Sequence, residues 1–255
     1  MLISLSELIT TSWKTYCQHW RRLAIYVLFL FLPTLVSSIF GVLGLYLNSL
    51  IPSSALMSNI IIVVVVVASL LFSLWATVSL TYAVNQIVSG QTMAEWKQIF
   101  SSSSRLLWPF IFTSILAGLA IFGGTLLFII PGMIFTIWFS FAVYAVILDN
   151  QRGIEALKAS KKLVIGRWWL MALLIFAPNV LFVIISVVIR FLIATPFSFI
   201  ISSELVMDVV RNFATSVSSA LIAPLTTLAM VLLYHSAKKN PVPTTLASSL
   251  PPSNI

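Results

Sequence analysis

Residues 23–47 read LAIYVLFLFLPTLVSSIFGVLGLYL and residues 58–88 read SNIIIVVVVVASLLFSLWATVSLTYAVNQIV. Together with the segment between them they belong to one long run, bounded by Arg22 and Glu95, that contains no Asp, Glu, Lys or Arg. Crossing a bilayer as a helix takes about 20 apolar residues, so this run holds two crossings and a connecting loop. Working outward, further charge-free runs cover positions 106–148, 168–189 and 212–237. The first of these holds two crossings joined tightly and the others one each. The expected spans lie near 23–47, 58–88, 106–122, 125–148, 168–189 and 213–235.

Helix is the element that such runs must adopt. Hydrocarbon offers no partner for a backbone N–H or C=O, so each segment has to satisfy its own, and the alternation of a barrel strand is absent. Composition agrees, because 60% of the 255 residues are hydrophobic and only 8% charged, against about 25% charged in soluble proteins. The fold class expected is therefore all-α: a polytopic membrane helix bundle of six transmembrane helices, a single membrane domain over 1–239, with a disordered tail over 240–255 that holds four prolines.

Charge placement orients the bundle. Drawing the six spans puts Lys14, Arg21, Arg22, Lys97, Arg105, Arg152, Lys158, Lys161, Lys162, Arg167, Lys238 and Lys239 on one side and only Arg190 and Arg211 on the other. By the positive-inside rule the richer side, with both termini, is cytoplasmic. The same rule accounts for the net charge of +8, so no nucleic-acid partner is implied. The first apolar stretch follows a long charged segment and no small-residue cleavage site follows it, which argues against a signal peptide.

Three cytoplasmic segments have helical apolar spacing. The first places Leu5, Leu8, Ile9, Trp13, Tyr16 and Trp20 together behind a possible capping box of Ser4 and Glu7. The second carries Met93, Trp96, Ile99 and Phe100 behind Thr92 and Glu95, and the third Ile154, Leu157, Val164 and Ile165. All three are expected to lie in the membrane interface. Glu7, Glu95 and Glu155 are each followed at one constant spacing by Trp20, Trp108 and Trp168, a pattern that either records a threefold hairpin repeat or reflects the abundance of Trp at interfaces.

Chemistry-bearing residues are sparse. One cysteine, Cys17, excludes an internal disulfide. His19 and His235 lack ligand spacing, no phosphate-binding loop or nucleophile elbow occurs, and no cofactor or metal site is expected. No ionisable group falls in the middle of a span, where it would mark transport or proton relay. Arg190, Glu204, Asp208 and Arg211 gather at the outer end of the last hairpin. Pro33, Pro131, Pro178 and Pro224 fall within spans, and Pro131-Gly132 is the candidate hinge. Ser216, Ala220, Ala223 and Thr227 form a small-residue stripe suited to close helix contact. The candidate contacts for anionic lipid headgroups are Lys158, Lys161, Lys162 and Arg167.

The motif Leu126-Leu-Phe-Ile-Ile-Pro-Gly132, then Asp149, Gly153-Ile-Glu-Ala-Leu-Lys-Ala-Ser160 and Gly166-Arg-Trp-Trp169, with Leu233-Tyr-His235 after the last span, resembles a six-helix prokaryotic inner-membrane domain family. That domain also occurs fused to some glycerophosphodiester phosphodiesterases. The resemblance implies a prokaryotic inner-membrane location and a membrane module. It does not bring the phosphodiesterase chemistry, which belongs to a separate barrel for which six acidic residues in all leave no room. The expected function is a non-enzymatic membrane module: a scaffold, an envelope-maintenance factor, or a subunit binding lipid, a membrane protein or its own copies. A small transporter for a lipid or apolar solute is the alternative.

Overall fold

The computed structural model describes residues 2–50 and 55–241, and its regular elements are all helices. Among the described residues these are α1 (Leu5–Leu50), α2 (Ala55–Val88), α3 (Trp96–Ser104), α4 (Leu107–Leu127), α5 (Ile129–Phe139), α6 (Ala142–Asp149), α7 (Ile154–Val164), α8 (Trp168–Ser198) and α9 (Glu204–Lys239). Six stretches are long and apolar enough to cross a membrane, with α5 and α6 together forming one of them. The expected all-α membrane bundle is what the chain forms. The expected tail lies, beyond Pro241, outside the described residues.

α1 corrects the first of the expected surface helices. Its 46 residues extend about 69 Å at 1.5 Å per residue, more than twice the hydrocarbon thickness. The segment before the first span and the span itself are one helix, because Arg21-Arg22-Leu23 contains nothing to stop it. Only the Ser4 half of the capping box is made, with the Glu7 N–H donating to Ser4 Oγ at 3.3 Å. The inward side carries Leu8, Ser12, Leu23 and Tyr26, whereas Trp13 and Trp20, expected on the same face as Leu8, are exposed.

α3 and α7 are separate helices, but both pack into the bundle. α3 begins one residue after Glu95, so the expected capping box with Thr92 is not formed. Phe100 stacks on Tyr26 at 5.9 Å and meets Trp75 edge-on at 5.1 Å, while Trp75 Nε1 donates to the Phe100 carbonyl at 3.1 Å. In α7 the buried residues are Ala156, Ser160 and Val164. Ile154, expected on the apolar face, is exposed, and small residues replace it inside because α7 sits close against α4, α5 and α6.

At the centre stands α9. More than half of its most apolar stretch is buried, against a third or less for the other spans. It packs on α1, α2 and α8, antiparallel to α1: Ile3 meets Ser236, the Tyr16 hydroxyl donates to the Leu221 carbonyl at 3.1 Å, and Phe31 touches Phe213. The small-residue stripe serves this packing, with Ala220 and Thr227 buried. By contrast Leu56, Ile60, Val63, Val64, Val67 and Leu71 of α2 are exposed, the apolar outer surface expected where lipid is the solvent.

The second hairpin departs most from expectation. The sequence places its turn at Gly123-Gly124, but α4 continues to Leu127 and the turn is a single extended residue, Phe128. Glycine is tolerated inside apolar helices, and here it brings two helices together: a Cβ on Gly124 would lie 2.6 Å from the Phe135 ring, and one on Gly132 would lie 2.9 Å from Thr125 Cα. Pro131 falls in the first turn of α5, where its missing N–H would be unpaired anyway. Pro131-Gly132, the candidate hinge, thus stands in the first turn of α5 and not inside a continuous span. The real interruption lies between α5 and α6 at Ser140-Phe141. α8 likewise outruns its expected end, passing Arg190 and Pro196 to reach Ser198.

Gly132→Val tests the close crossing. Overpacking there is expected to cost about 1–3 kcal/mol and to lower the midpoint of thermal unfolding in detergent. Gly118→Ala, with nothing within 4 Å of the added carbon, should alter stability by no more than about 1 kcal/mol. Equal behaviour of the two variants would refute the tight α4–α5 contact.

Candidate functional site

Polar side chains converge where α2, α6, α7 and α9 end and α8 begins. α6 terminates at Asp149 because Asn150 adopts the left-handed conformation (φ 55°, ψ 23°), which Asn tolerates better than most residues. Further along the same loop, Gly153 also has positive φ, 53°, and its N–H donates to Thr113 Oγ1 of α4 at 2.9 Å. This tight loop aims the Asp149 carboxylate at α9. There Oδ2 accepts from the Tyr234 hydroxyl at 2.7 Å, and Lys238 Nζ donates to Oδ1 at 2.7 Å and Oδ2 at 2.8 Å.

Tyr234 is buried and the Asp149 side chain is 20% exposed, while Lys238 is 55% exposed. The hydroxyl bond therefore lies in the drier half of the cluster, and the ion pair in the wetter half, where solvent screens it. One residue along α9, His235 Nε2 lies 2.7 Å from Asn85 Oδ1 of α2, a bond that places the proton on Nε2. The Ile3 N–H then reaches Ser236 Oγ at 3.0 Å. Three neighbouring residues of α9 thus fasten α6, α2 and the N-terminal segment.

Arg167, the N-cap of α8, performs a related task. Its Nε donates to the Leu163 carbonyl at 2.9 Å, Nη1 to Asn240 at 2.6 Å and Nη2 to Ala237 at 2.9 Å. The guanidinium thereby satisfies carbonyls left open at the ends of α7 and α9, and its charge suits the negative ends of both helix dipoles. Partial burial pulls its pKa below the ordinary arginine value. Gly166, at φ 82°, provides the bend that separates α7 from α8.

The four expected headgroup residues consequently part company. Arg167 is committed to backbone carbonyls. Lys161 stands over the Trp138 ring, 4.4 Å from its centroid. Lys158 and Lys162, one helical turn apart, are exposed. Pro131 and Gly132, the expected hinge, lie at the α4–α5 turn.

Sequence reading missed Ser160. Its buried hydroxyl donates to the Trp138 carbonyl at 2.6 Å and accepts from the Phe141 N–H at 3.1 Å, bridging the two backbone groups that flank the α5–α6 interruption. Its spacing from Glu155, which matches that of Ser12 from Glu7, was the available signal. At the opposite end of the bundle the expected cluster is looser. Arg211 pairs with Asp208 at 2.9 Å on the exposed surface, and among the described residues Arg190 forms no ion pair. The two histidines are not brought together, and no three potential metal-binding side chains are grouped among the described residues. No family model, curated protein or solved structure matches the chain, so the resemblance to the inner-membrane domain family rests on the residues quoted for it.

Asp149→Ala strands the Tyr234 hydroxyl and is expected to cost about 1–3 kcal/mol, and Tyr234→Phe about 1 kcal/mol. Because Asp149→Ala already removes the bond that Tyr234→Phe removes, the double variant should be little worse than Asp149→Ala. Denaturation of the detergent-solubilised protein checks this. Fully additive losses would mean that the pair does not couple.

Proposed function

We propose that the chain is a non-enzymatic membrane module of a prokaryotic inner membrane, a lipid-embedded scaffold with both termini in the cytoplasm. The dry interior carries this reading. Among the described residues no Asp, Glu, Lys, Arg or His is buried. Among the described residues the buried polar side chains other than tyrosine are Ser and Thr, most of which return their hydroxyl to their own helix, as Ser79 does to Trp75, Ser103 to Ile99 and Thr227 to Ala223. Such hydroxyls stabilise packing and offer neither a charged relay nor a nucleophile with a neighbouring base. The closeness of Ile3 to Ser236 supports an even number of crossings.

One observation favours the transport alternative. A cleft of about 740 Å³ between α1, α2 and α9, lined by Ser37, Ser38, Asp208 and Asn212, enters from the end opposite the Asp149 cluster. Beyond it α9 is closed by Leu225, Leu228 and Val231, so the cleft acts as a surface vestibule in the module reading.

Cysteine labelling separates the two. In a Cys17→Ser background, Asn212→Cys should react with a membrane-impermeant thiol reagent, whereas Ser79→Cys and Thr227→Cys should not. Rapid labelling at 79 or 227 would establish an aqueous path and overturn the dry-module reading. For orientation, reporter fusions after residues 100, 160 and 240 should give cytoplasmic signal and those after 50, 123 and 200 should not.

A further inference from the structure

Between α5 and the first turn of α8 runs an open apolar groove of about 570 Å³, walled by Ile130, Met133, Ile134, Trp138, Trp168 and Trp169. Trp169 is 81% exposed beside it. The end formed by Trp138 is not apolar, because the Lys161 ammonium rests on that ring. Lys162 follows directly and Lys158 lies one turn before it, both exposed. α7 carries one acid, Glu155, in its first turn, whereas Lys161 and Lys162 occupy its last.

We propose that this groove holds an acyl chain of one anionic phospholipid, whose phosphate rests on Lys161 and Lys162. The proposal deepens the module reading by naming the lipid that the scaffold retains. Three features select this occupant. The aromatic walls suit a hydrocarbon chain, and tryptophan belongs at the depth where headgroup and chain meet. Lys161 is held by a ring and not by a carboxylate, so its charge is available to an anion. Arg167, which would otherwise compete for the phosphate, is occupied by the carbonyls of Leu163, Ala237 and Asn240. A second copy of the chain fits poorly, since a two-fold contact sets a patch against itself and would bring Lys158, Lys161 and Lys162 against their own equivalents.

The test extracts the full chain from bilayers of equal phosphatidylglycerol and phosphatidylcholine and counts retained lipid by native mass spectrometry. One retained phosphatidylglycerol is expected, preferred over phosphatidylcholine by more than about tenfold, as two basic contacts near the surface imply. Lys161→Gln with Lys162→Gln should reduce the preference to about twofold or less, while Lys14→Gln with Arg21→Gln, which removes the same charge elsewhere, should leave it unchanged. Ile134→Trp, or Met133→Trp on the exposed wall, fills the groove and should expel the lipid. Equal retention of both lipids by the unaltered chain overturns the proposal. So does an equal loss in the Lys14/Arg21 variant, or full retention in a groove-filled variant whose thermal unfolding matches that of the parent. None of these results bears on the cysteine labelling at 79 and 227, so the module reading and the lipid site fail separately.

Discussion

Burial of α9 between α1, α2 and α8 is the constraint that organises this bundle. In an apolar solvent no hydrophobic force gathers helices, and association depends on close contact and on polar groups that find partners. α9 provides the first through Ala214, Ser218, Ala220, Thr227 and Ala229, all buried, which let α1, α2 and α8 approach. It provides the second at its C-terminal turns, where Tyr234, His235 and Ser236 reach α6, α2 and the N-terminal segment in succession. The helix is thus an axis along its length and a clasp at one end.

A second constraint follows from backbone chemistry. Any interruption of a helix buried in an apolar bundle frees N–H and C=O groups that water cannot reach, and each has to be answered by a neighbour. At Ser140-Phe141 the answer is Ser160, which serves a carbonyl and an N–H with one hydroxyl. At the ends of α7 and α9 it is Arg167. Both residues come from the α7–α8 region, so this connection is a structural part of the bundle and not only a surface attachment. It leaves Lys158, Lys161 and Lys162 as the basic groups of the connection with charge to offer outside the protein.

These assignments also give physical content to the residues behind the family resemblance. Gly132 permits the α4–α5 crossing, Asp149 receives Tyr234 and Lys238, Gly153 makes the positive-φ turn onto Thr113, Ser160 bridges the interruption, and Gly166 with Arg167 ends α7 and caps α9. The motif is a set of joints for the second and third hairpins.

Spans and helix content were legible in the sequence because hydropathy summed along a segment records the energy of placing that segment in hydrocarbon, a local quantity. The merger of the first surface segment with α1, the outward turn of Trp13 and Trp20, and the split among Lys158, Lys161, Lys162 and Arg167 were not legible. Periodicity identifies a helix with an apolar side, but in a chain this hydrophobic both sides of a helix are apolar enough to face lipid, and neighbours choose between them. Position 160 shows the same limit, since a serine on a helix acquires its role only when another chain segment breaks beside it. Composition and charge by themselves determined that this chain is a six-span helical membrane protein. Only the tertiary structure decided which polar side chains hold the helices together and which stay exposed, because that depends on contacts between residues as far apart as Ile3 and Ser236.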